Sequence, residues 1–503
     1  MPLLERPWIL GSAAAYVVVL LAIGAWAARR TRSAGDFFIA GQRLGLVVTA
    51  LATMEFSGFV FLGGAGLTYR IGVASMWIIA PVAFTSALLC WTVGKRLRLL
   101  AEARQIYTVP EALAARYRSR LVQGLAAVAV AVGAVGYLAA QVLALGVLVE
   151  TVFATRPVLG EWSPIVAMAA GLVIVVLYGV AGGMVAGAYT DVFQGAVMMA
   201  AAAAVFVQAL KVTGGLGEMT RTIAASDAFG PRFLDPLGGV PALTAYGFFF
   251  VFGVGVLGQP HMLHKFLMLG DPAKLRWFPA TLAVSQVVCL LLWFGVGLAV
   301  PALVAAGRLE PLANPDDAAP RFLLGFAPEA LAGLVLIGVL AAIMSTTSSL
   351  INIAAAAVVR DLPRALGRRV QNELRGGRMA VVGLAVLAAL LAWSYGDLIA
   401  LLGTFAFGTF AAALAPALAV GLNWRRVTAS AAAASIAVGL VANLGLELAS
   451  RRAALGGWLA AGALPSAVAL AASFLTLMGV TWWTGRRGPA ATLDRDVEVV
   501  MEM

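Results

Sequence analysis

The sequence predicts an all-α polytopic membrane protein of about 13 transmembrane helices, and two observations carry that prediction. First, 62% of the 503 residues are hydrophobic and only 12% are charged, with a mean hydropathy of +0.94. Soluble domains are nearer half apolar and a quarter charged. Second, the apolar residues fall into runs of about 20, the length a helix needs to cross a bilayer, separated by short charged or turn-forming stretches. No room is left for a large soluble domain. The formal charge of +11 does not point to nucleic acid, because Arg and Lys lie between apolar runs as loop charge. Cys90 and Cys289 sit inside apolar runs as small hydrophobes, not as a disulfide framework.

The runs cover 8–28, 41–67, 74–94, 121–152, 163–181, 187–210, 241–264, 277–305, 324–356, 379–395, 398–420, 427–447 and 458–483. The first follows MPLLERP, which has no early basic region and no small-residue cleavage site, so it reads as a retained span. The runs at 121–152 and 324–356 are long enough to tilt or to extend past the membrane. Loop charge sets the orientation. With the N-terminus outside, the cytoplasmic loops hold Arg29, Arg30, Arg32 and Arg43, then Lys95 to Arg120, Lys265 to Arg276, Arg360 to Arg378, and Arg425, Arg426, Arg486, Arg487 and Arg495. The reverse topology would put most basic residues outside, so the prediction is N-out and C-in.

Spans two to six then start inside and spans seven to eleven start outside, the pattern of an inverted five-plus-five repeat. Residues 1–40 form an additional N-terminal helix and loop, 41–210 the first repeat, 241–421 the second, and 422–503 two further helices and a short tail. The second span carries Glu55 near its middle, Ser57 beside it, and Gly58, Gly63, Gly64 and Gly66 after it. A carboxylate at membrane depth costs about 2.5–3.5 kcal/mol on insertion scales and marks a functional site. Glycines permit a broken helix, and unwound backbone survives in a membrane where it lines a cavity. Span seven, FFFVFGVGVLGQPHMLHKF, is interrupted in the corresponding position by Gly253, Gly255, Gly258 and Pro260. The plainer alternative is that these glycines only permit tight helix packing.

Span nine holds LAAIMSTTSSLINIAAAAVVRDL. Ala342, Ser345 and Thr346 stand at i, i+3 and i+4 and share one helix face. A hard cation such as sodium needs several oxygens, which two hydroxyls and freed carbonyls of a broken neighbour would supply. The competing reading is that these hydroxyls bond their own i−4 carbonyls. In YGVAGGMVAGAYTDVFQ, Gly182 and Gly183 read as a turn and Asp191 as the start of the next helix, an N-cap first and a cation attractor second. His261 and His264 lack a third ligand at metal-site spacing and read as structural or gating residues. Tyr137 and Gln141 share a face and could bond a solute or a neighbouring helix.

AGGMVAGAYTDVFQ, GQPHMLHKF and AAIMSTTSSLINIAAAAVVRDL together resemble the sodium:solute symporter family, which includes sodium/proline, pantothenate, acetate and sugar symporters. The resemblance covers spans two to eleven and implies a leucine-transporter-like inverted repeat and sodium-driven alternating access. It also implies a sodium ion held by backbone oxygens at Thr53 and Phe56, the Ala342 carbonyl, and the Ser345 and Thr346 hydroxyls, with Asp191 on the ion's exit route. The substrate-facing residues it implies are Glu55, Ser57, Gly58, Tyr137, Gln141, Phe252 and Gln259. GQPH is most similar to the proline branch, but Glu55 replaces an aspartate of that branch and Val256 stands where it has a second aromatic. YLAAQ is closer to carriers of carboxylates or sugars.

The expected function is sodium-coupled import of a small organic solute, a monocarboxylate or amino acid by preference, across the bacterial cytoplasmic membrane. Its partners would be that solute and membrane lipid, with no nucleic acid; a homo-oligomer is compatible with this. Two alternatives stand beside it: proton coupling through Glu55, and a symporter-like sensor acting with a separate signalling partner. An enzyme is not expected, because no metal cluster or nucleophile–base pair is evident.

Overall fold

The computed structural model describes residues 57–153, 159–368, 373–395, 398–451, 462–485 and 493–503, with Trp8, Gly11, 14–16, Val18, Val19, Ala22, Ile23, Trp26 and Gly45 before them. In chain order the helices are α1 (Gly64–Ile71), α2 (Met76–Leu88), α3 (Lys95–Arg104), α4 (Val109–Tyr117), α5 (Arg120–Phe153) and α6 (Ser163–Thr213). Next come α7 (Leu216–Ala224), α8 (Ala242–Phe248), α9 (Pro260–Met268), α10 (Phe278–Ala305), α11 (Ala318–Phe326) and α12 (Glu329–Ala356). The last are α13 (Leu362–Ala365), α14 (Glu373–Tyr395), α15 (Ile399–Ala419), α16 (Ala429–Arg451), α17 (Pro465–Gly485) and α18 (Arg495–Glu502).

Among the described residues there is no strand, and ten helical stretches are long and apolar enough to cross a membrane. One of them, Phe59–Arg104, is 46 residues long. At 1.5 Å per residue it would extend about 70 Å, more than twice the hydrocarbon thickness of about 30 Å. Gly72 divides it. Its φ is +70°, and a Cβ there would sit 2.1 Å from the Phe233 carbonyl oxygen, so only glycine fits. The stretch therefore contains two of the predicted runs.

The Gly182–Gly183 turn is not formed: α6 runs unbroken from Ser163 to Thr213, and Asp191 lies inside it rather than at a helix start. Without water to compete for backbone hydrogen bonds, glycines in an apolar helix need not end it. The helix ends instead at Gly214, where φ is +79°.

The long α5 lies centrally and packs against α6, α12, α14 and α15. Alanine-rich faces, such as Ala411 to Ala413 of α15, are fully buried and let helix axes approach closely. Basic residues cap helices at one end of the bundle. Arg98 donates to the carbonyls of Leu269 and Gly270 at 2.5 and 3.0 Å, closing α9. Arg116 donates to the carbonyls of Gly421 and Trp424 at 2.6 and 3.1 Å, just past α15. The last carbonyls of a helix lack internal partners and carry partial negative charge, so a guanidinium there satisfies both needs.

Candidate functional site

A helix described from Ser57 onward and an interrupted helix meet beside α5 and α12. In the first, the Ser57 carbonyl accepts from the amides of Val60 and Phe61, both at 3.0 Å. Phe59–Gly63 then forms a π-helical turn that runs into α1. The amide of Gly58 belongs to the first turn, where N–H groups have no helical partner. It donates to Gln141 Oε1 of α5 at 3.0 Å. A Cβ on residue 58 would lie 2.5 Å from Ala144 Cβ and 2.9 Å from Ile343 Cγ1, so this backbone is wedged between α5 and α12. Ser57 is also buried. Thr53, Glu55 and Phe56 lie outside the described residues.

The interruption follows α8. A π-helical turn, Phe249–Val254, gives way to a 3₁₀ turn, Gly255–Gly258, and Gln259 is extended at φ −78°, ψ 105°. Pro260, which has no N–H to leave unpaired, opens α9. A Cβ on Gly258 would sit 2.7 Å from the Ala415 amide nitrogen and 2.8 Å from the Phe410 carbonyl, so the break rests on the backbone of α15. Gln259 Nε2 donates to the carbonyls of Gly255 and Phe407 at 3.2 and 3.0 Å.

Aromatic rings join the two. Phe59 stacks on Phe252 at 5.9 Å, and Phe252 stacks on Phe407 at 4.4 Å. Tyr137, one turn before Gln141 on α5, stacks on His261 of α9 at 5.7 Å. Ser57, Gly58, Tyr137, Gln141, Phe252 and Gln259 thus lie along one chain of contacts. Gln141 Nε2 and Gln259 Oε1 are buried there without a hydrogen-bond partner, one a donor and the other an acceptor.

On α12, Ala342 is fully buried and Ser345 and Thr346 are half-buried, within a turn of the Ile343 that meets Gly58. Ser345 Oγ donates to Asp191 Oδ1 of α6 at 2.5 Å. Lys265 Nζ of α9 donates to Asp191 Oδ2 at 2.9 Å, and the two side chains are only 3% and 2% exposed. Asp191 is therefore not an N-cap, and its carboxylate is paired with Lys265. Lys265, which the sequence assigns to a loop, is buried inside the protein. The only sequence signal for it was a lysine immediately after the predicted span 241–264, within PHMLHKFLM. His264 Nε2 lies 3.1 Å from the Tyr107 carbonyl. Among the described residues, no group of three His, Cys, Asp or Glu is placed to hold a metal ion.

Helices long and apolar enough to cross a membrane, one of them interrupted at 255–259, with hydroxyl and carboxylate oxygens beside it, are the architecture of a transporter of small solutes. The family model described as "Sodium:solute symporter family" matches residues 37–439, and the chain belongs to that family. It is 28% identical over 448 residues to the osmoregulated proline transporter of Bacillus subtilis, covering 84% of this chain and 85% of that one. It is 29% identical to the sodium/pantothenate symporter of Escherichia coli, covering 84% and 87%. Among solved structures, a substrate-bound, outward-open Na+-coupled sialic acid symporter superposes with a TM-score of 0.75 at 18% identity, covering 97% of this chain and 99% of that one. MhsT in complex with L-phenylalanine gives 0.55 at 11% identity, covering 86% and 98%. The fold is thus that of the leucine-transporter class, and the chain is a multi-pass membrane symporter, not an enzyme.

Proposed function

We propose that this symporter couples inward sodium flow to import of a small organic solute bearing a carboxylate, an amino acid or a monocarboxylate, across the bacterial cytoplasmic membrane. One observation carries it: the backbone at Gly58 is fastened to Gln141 and pressed on Ile343, beside the Ala342–Ser345–Thr346 face. Sodium would be held by that face together with the carbonyls of Thr53 and Phe56, and would leave past Asp191. Ordering this backbone in this way lowers the cost of binding solute next to it, which is positive coupling between two sites.

The solute would meet Ser57, Gly58, Tyr137, Gln141, Phe252 and Gln259, with Glu55 beside them. A buried unpaired polar atom costs about 1–3 kcal/mol. A solute carboxylate accepting from Gln141 Nε2, with an N–H or O–H donated to Gln259 Oε1, would recover that cost. The relatives' named solutes, proline and pantothenate, both carry a carboxylate. The division at 1–40, 41–210, 241–421 and 422–503 belongs to the same proposal; α6, helical through 182–183, does not supply the separate spans 163–181 and 187–210 on which the count of thirteen relies.

Two experiments test it. Purified protein is screened by thermal shift against carboxylates and amino acids with and without sodium, since a ligand of the folded state raises the melting temperature. The solute found is then followed into proteoliposomes. Uptake that collapses when choline replaces sodium supports the proposal. Uptake that ignores the replacement and follows a pH gradient overturns sodium drive and favours a proton route through Glu55.

A further inference from the structure

Toward the end of the bundle where the capping arginines gather, α12 continues the face that carries Ser345. Ser348 or Ser349 and then Asn352 follow at i+3 or i+4 and i+7. A π-helical turn, Ala357–Asp361, then brings in Asp361. Asp361, Asn352 and His264 are 0%, 2% and 4% exposed. With Thr108 and Ala356 among its walls, they line a small pocket with room for about one water-sized particle.

The hydrogen bonds of these side chains fix which atoms remain available. Asn352 Nδ2 donates to the Ser348 carbonyl at 2.8 Å, which leaves its Oδ1 as the unpaired end. His264 Nε2 faces the Tyr107 carbonyl, which only accepts, so Nε2 carries the proton and Nδ1 a lone pair. Asp361 Oδ1 accepts from Thr108 Oγ1 at 2.9 Å and Gln123 Nε2 at 3.4 Å, whereas Oδ2 has no partner. With Asp361 ionised, three buried acceptors therefore belong to the lining of one small pocket, with no donor among them. Nor is the carboxylate's charge balanced: among the described residues no ion pair involves Asp361. The neighbouring Arg360 is committed to Glu111 at 2.7 Å and Glu373 at 3.1 Å, and Lys265 to Asp191.

Acceptors without donors and a carboxylate without a counter-ion call for a small cation. We propose that this pocket is a second binding station for the transported sodium ion, one step further toward the basic end than Ser345. Asp361 Oδ2 and Asn352 Oδ1 are its ligands, and His264 Nδ1 accepts from a water on the ion. The proposal rests on the sodium-driven reading above, which supplies the ion, but it assigns residues that reading does not use.

The test is equilibrium binding of radioactive sodium to the purified full chain over the millimolar range. The wild type is expected to bind in two components. Asp361→Asn, which keeps the shape and removes the charge, should weaken one component about tenfold or more, as expected for losing a charged ligand. Thr346→Ala should weaken the other component only. Asn352→Leu repeats the first result by a route that leaves Asp361 in place, and carries the test if Asp361→Asn does not fold. A wild type that binds no sodium overturns the sodium-driven reading and this one with it. Two components that both survive Asp361→Asn and Asn352→Leu, or a single component lost only with Thr346→Ala, overturn the pocket alone. Proton release measured alongside, lost in Asp361→Asn and unaccompanied by a second sodium component in the wild type, overturns the assignment of the ion.

Discussion

Lys265 Nζ lies 2.9 Å from Asp191 Oδ2, and this buried pair joins α9, just past the interruption, to α6. Ser345 Oγ of α12 reaches the other carboxylate oxygen at 2.5 Å, so three helices converge on one aspartate. Breaking a buried ion pair from one side strands the other charge and costs about 3–5 kcal/mol. Asp191→Asn alone and Lys265→Met alone should therefore each lower the thermal midpoint markedly. The double variant should recover much of the loss, because no charge is left uncompensated. Thermal unfolding of the three proteins measures this; a double variant as unstable as the sum of the singles would contradict it.

The same pair bears on ion release. A sodium ion leaving past Asp191 meets a carboxylate already neutralised by an ammonium, so the lysine competes for it. Lys265→Met, where folded, should strengthen inhibition of uptake by internal sodium by about tenfold, the equivalent of about 1.4 kcal/mol. Uptake measured against a series of internal sodium concentrations tests this, and an unchanged inhibition curve would remove Lys265 from the route.

Much of this site was legible in the sequence, and what was not legible has a physical reason. Residue spacing revealed the interruption at Gly255–Pro260, the shared face of Ala342, Ser345 and Thr346, and the shared face of Tyr137 and Gln141, because helix periodicity is local. The partners of those faces are not local. Gly58 and Gln141 are 83 residues apart, and Asp191 and Lys265 are 74 apart, so only the packing of α5, α6, α9 and α12 brings them together. The Gly182–Gly183 turn was misread because glycine pairs punctuate helices in water, where solvent competes for the backbone, far more than in lipid.

Gly58 gives a sharp steric test. A methyl there meets Ala144 Cβ at 2.5 Å and Ile343 Cγ1 at 2.9 Å, and neither is the end of a long flexible chain. Gly58→Ala should push the helix that follows Gly58 off α5 and α12 and reduce uptake at least about tenfold, since misplacement of a site by about 1 Å is enough to do so. Gln141→Leu removes the acceptor of the Gly58 amide instead and should cost about 1–3 kcal/mol of solute binding or stability. Solute affinity by thermal shift and initial uptake rates measure both; wild-type values for either variant would separate this contact from function.

On α12, Thr346→Ala removes a hydroxyl from the proposed sodium face without touching the Asp191 pair. The sodium concentration for half-maximal uptake should rise by about tenfold, while solute affinity at saturating sodium stays near the wild-type value. Sodium titration of uptake at fixed solute distinguishes the two parameters. Equal sodium dependence in the variant and the wild type would take Thr346 out of the ion site.

The C-terminal helix α18 supplies the pH dependence. Its buried residues Val497, Val500 and Met501 face the bundle, and its acids meet basic residues from distant elements. Arg104 binds Asp494 at 2.6 Å and also Asp496, Arg118 reaches Asp494 at 3.4 Å, and Arg425 reaches Glu498 at 2.9 Å. The hydrogen bond from Arg104 holds the Asp496 carboxyl below its ordinary value of 3.8. A carboxylate depressed in the docked state contributes stability that is complete above the ordinary value and is lost as pH falls through the docked one. Amide protection in residues 495–502, corrected for intrinsic exchange, should therefore hold from neutral pH down to about 4 and fall below it. Arg104→Gln should lower protection at neutral pH and shrink the acid step, because the largest cause of the lowered Asp496 value is then gone. Protection that ignores acid in the wild type, or ignores Arg104→Gln, would mean that apolar contacts alone hold α18 in place.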